Sequence, residues 1–409
     1  MQSFQSKIFL FDDKTYTYQD LFNAVSGSGE YFPLLRTKDL FMFFVNLVKA
    51  LVAGKPLILI DSDINIVEIE GIEKSQINRK ETIDHIVWQD MNEVISAIRR
   101  SKSEITIFTS GTTGQPKKVV HTISTLTRSV RLGEKYAEQV WAFAYNPTHM
   151  AGLQVFFQAF ENLSTMVNVF MKPKDEVYKL INDKLITNIS ATPTFYRLLQ
   201  PFEQVCTHVI RVTFGGEKSD QHLYDAIRKI FPNAKINNVY ASTEAGSLFA
   251  SNDDCFQVPE AIQDKIRFEN EELLIHKSLL GRSDSYSFAN DYYHSGDLVE
   301  WVDMAKGVFR FKSRKNELIN VGGYKVNPQE VELEIMAIDG VDQAKVYGKD
   351  NSILGKVLCA DVVLAPNVIL SELNIRKQLM SRLQDFKIPR RIKFVEELSI
   401  TRTGKLKRV

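Results

Sequence analysis

Short apolar runs bounded by glycine, proline or polar turns alternate along the chain with stretches whose apolar residues return at helical spacing, and this alternation predicts an α/β architecture. Glu104-Ile-Thr-Ile-Phe-Thr109 reads as a strand ending in a glycine turn, and Val209 to Phe214 as another, closed by Gly215-Gly216. Ser190 to Thr194 reads as a strand end followed by a helix from Phe195 to Leu199, and Val239-Tyr240 closes a further strand before a polar turn. His121 to Tyr136 has helical character. Ser219 is the predicted cap of a helix that runs to Ile230 and is ended by Pro232. The most apolar stretch, Leu40 to Ile60, carries Asn46, Lys49 and Lys55 and is broken by Gly54 and Pro56, so it predicts a buried helix, a turn and a buried strand rather than a membrane span.

Beyond residue 313 the pattern predicts a separate small α+β unit. Asn327 and Pro328 open a helix over Gln329 to Ile338, Ala344 to Gly348 and Val357 to Leu364 read as strands, Ser371 and Glu372 open a helix to about Leu383, and Arg391 to Val395 is a last strand. The charged run Lys312 to Glu317 holds the expected boundary, giving domains 1–315 and 316–409. The length of 409 residues accommodates two or three domains at roughly 150 residues each. Lys and Arg number 51 against 50 for Asp and Glu, a net charge of +1, so no global basic field recruits nucleic acid or anionic lipid, and neither nucleic acid nor integral membrane contact is expected. Three scattered cysteines without a CxxC pair suit free thiols in a reducing compartment, and the first residues lack an apolar signal core, so a cytoplasmic location is expected.

Candidate chemistry concentrates in Thr109-Ser110-Gly111-Thr112-Thr113-Gly114-Gln-Pro-Lys117-Lys118. Glycines let backbone amides approach an anion, hydroxyls add donors and Lys117 adds charge, which is what a polyphosphate needs. The spacing is not that of a Walker A loop.

This segment resembles the phosphate-binding loop of the adenylate-forming superfamily, which includes acyl- and aryl-CoA synthetases. Further segments resemble that family's motifs in its order: Thr148-His149-Met-Ala-Gly152, Phe214-Gly-Gly-Glu217, Tyr240-Ala-Ser-Thr-Glu244, Tyr293-His-Ser-Gly-Asp297, Arg314-Lys-Asn316, Gly322-Gly-Tyr-Lys-Val-Asn-Pro-Gln-Glu330 and Thr401-Arg-Thr-Gly-Lys405, with Thr15 to Leu21 upstream. The resemblance implies a large N-terminal domain of layered sheets and helices and a small mobile C-terminal domain, turning about Asn316. It implies ATP, Mg²⁺ and coenzyme A as cofactors and a small carboxylic acid as substrate.

It also implies roles. Thr109, Ser110, Gly111, Thr112, Thr113, Gly114 and Lys117 hold phosphates; Gly215, Gly216 and Glu217 border adenine with Tyr240 and Ala241; Asp297 and Arg314 take the ribose; Glu244 holds the metal; Thr243 donates to the α-phosphate; His149 lines the acyl pocket. Lys405 stabilises the charge that builds on the α-phosphate, and Gly322-Gly323 flanks a pantetheine arm after the domain turns. Taken singly, each has a plainer reading: a lone Tyr is core, a lone Glu in a turn is solvated, a terminal Lys is surface charge, and His121 is structural.

Departures from the family pattern are Asn316 at the hinge, Asn320 at a commonly basic position, Ala241 for a glycine and Ser313 for another. About a hundred residues precede the phosphate loop, so a shortened N-terminal region is expected. The implied function is ATP-dependent formation of an acyl-adenylate and then of a coenzyme A thioester, the acid being aliphatic or a small aryl acid such as succinylbenzoate, in a monomer or homodimer. The alternatives are an adenylating ligase that loads an acyl-carrier protein and a non-catalytic nucleotide-binding relative.

Overall fold

The computed structural model describes residues 4–27, 29–84, 87–109, 116–200, 204–321, 324–351 and 355–399. Its largest sheet has eight strands in the spatial order Gly246–Ser251, Lys235–Ser242, Arg211–Gly215, Asn188–Ala191, Val140–Phe143, Thr165–Asn168, Ile8–Phe11 and Thr15–Thr17. The six inner strands run parallel and the two outer pairings are antiparallel. Crossover helices such as Met150–Phe160, Lys174–Asp183 and Gln221–Ile230 connect them, as parallel pairing requires. A four-stranded sheet (Leu34–Leu35, Leu57–Leu59, Glu104–Thr109, Lys117–Thr122) and an antiparallel five-stranded sheet built around the long strand Tyr292–Asp303 flank it.

The stretch Leu40 to Ile60 folds as expected, into helix Leu40–Val52, a turn and strand Leu57–Leu59. Its polar residues are accounted for: Asn46 bonds both the N–H and the C=O of Phe32, and Lys49 Nζ donates to the Glu30 carbonyl at 3.2 Å. Among the described residues no helix is long and apolar enough to cross a membrane.

Residues Ile319 to Ile392 build their own core, with Val326, Val331, Ile335, Val346, Leu358 and Leu379 packed between a five-stranded sheet and two helices. Asn327 caps helix Pro328–Met336 through the Gln329 N–H, and Ser371 caps Glu372–Met380 through that of Asn374, both as predicted.

Three local expectations need correction. His121 to Tyr136 is not one helix: strand Lys117–Thr122 carries His121 opposite Ile105, and only Ile123–Thr127 and Glu134–Ala137 are helical. Between them Arg128 is drawn to the carbonyls of Ala245 and Leu279, and Gly133 takes a φ of 146°. Asp220, not Ser219, caps helix Gln221–Ile230, its carboxylate accepting from the Leu223 N–H, while Ser219 is buried one residue earlier against the Tyr224 hydroxyl. The strand placed at Ala344 to Gly348 extends over Val341–Asn351, because it pairs along that length with Gly355–Leu364.

Candidate active site

A cleft of about 2160 Å³ opens where the eight-stranded sheet, the antiparallel sheet and the C-terminal unit meet. The turn after strand Lys235–Ser242 brings Thr243 and Glu244 to its wall. Three successive carbonyls fix this turn from outside: that of Thr243 lies 2.8 Å from His121 Nε2, that of Glu244 accepts from the Gly281 N–H at 2.7 Å, and that of Ala245 accepts from Arg128. His121 is fully buried, and burial pushes its pKa down to about 4, so the ring is neutral and its Nε2–H donates. Gly281 is required at its place, since a Cβ there would come within 2.5 Å of His121 Cε1. With its backbone held, the Glu244 carboxylate faces the cleft and has no hydrogen-bond or ion-pair partner among the described residues.

Beside it Asp297, buried on strand Tyr292–Asp303, faces Arg314 on the neighbouring strand Val308–Arg314. Arg314 Nε donates to Oδ1 and the Tyr240 hydroxyl to Oδ2, each at 2.6 Å. Burial opposes the charge on Arg314, but the Asp297 carboxylate beside it holds its pKa well above the ordinary arginine value. Burial and the same carboxylate keep the Tyr240 phenol protonated and donating. The Tyr240 ring stacks on Phe311 with centroids 4.3 Å apart and on Phe249 at 5.4 Å, a partnership absent from the sequence pattern.

One strand further in, the Glu272 carboxylate is buried and receives Lys315 Nζ at 2.6 Å, His294 Nδ1 at 3.0 Å and the Gly296 N–H. Burial alone would raise its pKa, but the Lys315 ammonium and the other donors hold it below the usual carboxylate range. Lys315 directly precedes Asn316 in the 3-10 turn Lys315–Glu317.

His149 begins helix Met150–Phe160 at the cleft's edge, its Nε2 3.6 Å from Asp61 Oδ2, which also accepts from Asn146 Nδ2 at 2.9 Å. The helix packs so closely on this loop that a Cβ at Gly152 would lie 2.4 Å from the Asn146 carbonyl oxygen, which explains the glycine of the Thr148–Gly152 segment.

Of the sequence-derived candidates, the structure gathers Lys117, His149, Gly215, Gly216, Glu217, Tyr240, Ala241, Thr243, Glu244, Asp297 and Arg314 on the one cleft. Glu217 turns its carboxylate to the Thr194 N–H at 2.9 Å, supporting the start of helix Pro193–Leu198. Thr109 ends strand Glu104–Thr109 in register with Lys117, and Asn316 lies in the turn just named. Ser110, Gly111, Thr112, Thr113, Gly114, Gly322, Gly323 and Lys405 lie outside the described residues. Phe156 and Phe157 of helix Met150–Phe160 are fully buried in the core.

Sequence reasoning missed Asp61, Arg128, Gly281 and the polar face described below. One signal was present. The inner strands of a parallel sheet covered on both sides should be continuously apolar, yet Asn188 and Ser190, Arg211 and Thr213, and Lys235 and Asn237 repeat polar residues at a period of two.

Residues 49–267 match the profile described as AMP-binding enzyme, and residues 330–405 match the AMP-binding enzyme C-terminal domain. The 4-hydroxybutyrate--CoA ligase 1 of Metallosphaera sedula is 25% identical over 381 residues, spanning 83% of this chain and 67% of that protein. The 2-succinylbenzoate--CoA ligase of Bacillus pumilus is 27% identical over 360 residues, spanning 80% of this chain and 72% of that protein. In fold, the chain is similar to the o-succinylbenzoate CoA synthetase of Bacillus subtilis solved with its acyl-adenylate intermediate (TM-score 0.70, 21% identity, 98% of this chain and 94% of that chain).

Proposed function

This chain belongs to the AMP-binding enzyme family, and on that premise we propose that it activates a carboxylic acid with ATP and passes the acyl group to the thiol of coenzyme A. A carboxylate oxygen bonds to the α-phosphorus while the bond to the β-phosphate oxygen breaks, and pyrophosphate leaves with the electron pair. The thiolate sulfur then bonds to the acyl carbon, the bond to the phosphate oxygen breaks, AMP leaves, and the thiol proton passes to solvent. The named relatives, which act on 4-hydroxybutyrate and 2-succinylbenzoate with coenzyme A, support this reading.

The observation that carries it is the pairing of a self-bonded ribose wall with an unpartnered carboxylate. Asp297 is an acceptor with three of about four lone-pair sites taken, by Arg314 Nε, by the longer 3.4 Å bond from Arg314 Nη2 and by the Tyr240 hydroxyl, which leaves capacity for a ribose hydroxyl. Glu244 is the donor suited to Mg²⁺, a hard cation that takes one or two carboxylates together with phosphate oxygens; bound there, Mg²⁺ would neutralise phosphate charge. The Thr243 hydroxyl, on the backbone held by His121, is positioned by the same turn and in our reading donates to the α-phosphate. Lys117 and the loop from Thr109 take the outer phosphates, Gly215, Gly216, Glu217, Tyr240 and Ala241 border the adenine, and His149 lines the entry to the acyl side.

We read residues 1–315 and 316–409 as two moving parts that turn about Asn316, exchanging Lys405 for Gly322-Gly323 between the two half-reactions. Three free cysteines, Cys206, Cys255 and Cys359, accord with the cytoplasm as its compartment. The test is a screen of carboxylic acids for pyrophosphate release with coenzyme A present. Acid-dependent pyrophosphate, AMP and thioester are expected; ATP cleavage to ADP, or cleavage indifferent to the acid, overturns the reading.

A further inference from the structure

Below His149 the cleft continues between helix Met150–Phe160 and one face of the large sheet. Strand register fixes that face: Trp141, Asn188 and Arg211 lie side by side, and Phe143, Ser190, Thr213 and Asn237 form the next row toward the mouth. A channel for a plain hydrocarbon chain would present apolar side chains here. This one instead presents Ser190, Arg211, Thr213 and Asn237 opposite Gln154 and Gln158 of the helix.

Gln158 spends its amide on the N–H and C=O of Arg131, but other donors on this face are unspent. The guanidinium of Arg211, a half-buried residue, has no hydrogen bond or ion pair among the described residues, while its backbone N–H is paired to the Thr187 carbonyl. Trp141 Nε1 and Gln154 Nε2 are buried N–H donors without a partner, although Gln154 Oε1 accepts from the Ser247 hydroxyl. Gln139 adds a buried amide whose oxygen is unpaired, and which offers its NH₂ when rotated. No Asp or Glu lines the cleft from strands Val140–Phe143, Asn188–Ala191 or Arg211–Gly215, or from helix Met150–Phe160. A buried donor left unpaired is costly, and an arginine fork matches a carboxylate in both geometry and charge.

We propose that the acid carries a second carboxylate, remote from the reacting one, which Arg211 receives at the deep end of this channel with Trp141 and Gln154 donating along its length. The substrate class is thus a dicarboxylic acid; this rests on the ligase reading above and narrows the aliphatic or small aryl acid expected from sequence to those members that, like succinylbenzoate, carry a second carboxylate. Arg211 and Gly215 are the deep and mouth residues of one strand, four positions apart, a backbone span of ~13 Å that sets the scale of the separation between the two anionic ends.

The experiment compares α,ω-dicarboxylic acids with monocarboxylic acids of matched chain length, by pyrophosphate release and by calorimetric binding, for wild type, Arg211→Met and Arg211→Gln. Wild type should favour the diacid by at least ~10-fold in kcat/KM, and either variant should lose roughly 10- to 100-fold on the diacid, mainly through KM, with little change on the monoacid. A wild-type preference for monoacids overturns the proposal even if the variants do not fold, and so does a diacid preference that survives both substitutions. If no acid releases pyrophosphate, the ligase reading fails, and binding then decides the channel alone: diacid binding that depends on Arg211 upholds it, and its absence overturns it.

Discussion

The two walls of the cleft are built on opposite plans. On the side we propose for the nucleotide, Asp297, Arg314, Tyr240 and Phe311 bond or stack on one another, and the Thr243–Ala245 turn has its carbonyls satisfied by His121, Gly281 and Arg128. On the side we propose for the acid, the Arg211 guanidinium, Trp141 Nε1 and Gln154 Nε2 have no protein partner among the described residues. The first wall is rigid before anything binds, which suits a group common to every turnover. The second, on this proposal, would be completed by its ligand, which is where discrimination is strongest, because a wrong ligand leaves buried donors unpaired.

If the walls divide the work this way, damage to the nucleotide side should fall equally on every acid. The largest effect is expected at Lys405: Lys405→Ala should lower adenylation by roughly 100- to 1000-fold, by the same factor for all acids, while sparing thioester formation from a supplied adenylate. Equal loss of both half-reactions would contradict the proposed domain turn.

Next is the pH dependence of the turn behind Glu244. The folded pKa of His121 is depressed to about 4 from 6.5, so below pH 6.5 the unfolded chain binds a proton the folded chain refuses. Stability should therefore fall as pH drops from 6.5 to about 4, by on the order of 3 kcal/mol from this group. Thermal melts of wild type and His121→Gln across that window check it; an unchanged slope in the variant would assign the acid sensitivity elsewhere.

Asp297→Ala strands Arg314 and the Tyr240 hydroxyl. Because Arg314 is 46% exposed, the expected destabilisation is about 1–3 kcal/mol rather than the ~3–5 of a wholly buried pair, with KM for ATP raised roughly tenfold and acid preference unmoved. An altered acid preference would show that the walls are coupled. The smallest effect is expected from Lys315→Ala, which leaves Glu272 with His294 and the Gly296 N–H: roughly a two- to five-fold change in the ratio of the two half-reaction rates, read by stopped-flow, with overall stability within about 1 kcal/mol.

The nucleotide wall was legible in sequence to the extent that its chemistry sits in contiguous words. Thr243-Glu244, Gly296-Asp297 and the residue Arg314 carry their own context, and helix caps such as Asn327 and Ser371 are local by nature. The supports were not legible, since His121 meets Thr243 across 122 positions and Arg128 meets Ala245 across 117. His121 reads as structural in sequence and is buried, but what it holds in place emerges only from packing. The acyl wall was hidden for another reason: Arg211, Ser190 and Asn237 come from three strands, and only register sets them on one face. Local competition misled as well, as where Asp220 rather than Ser219 reached the Leu223 N–H.

The Lys315–Glu272 contact has a mechanical consequence. The backbone up to Lys315 is moored to a buried carboxylate of the antiparallel sheet, so it behaves as part of the stator. Any swing of the C-terminal unit must be taken up by the few torsions between that mooring and Ile319, the first residue of its own core. A short arm with a fixed origin admits few resting angles, so the unit would click between positions rather than wander.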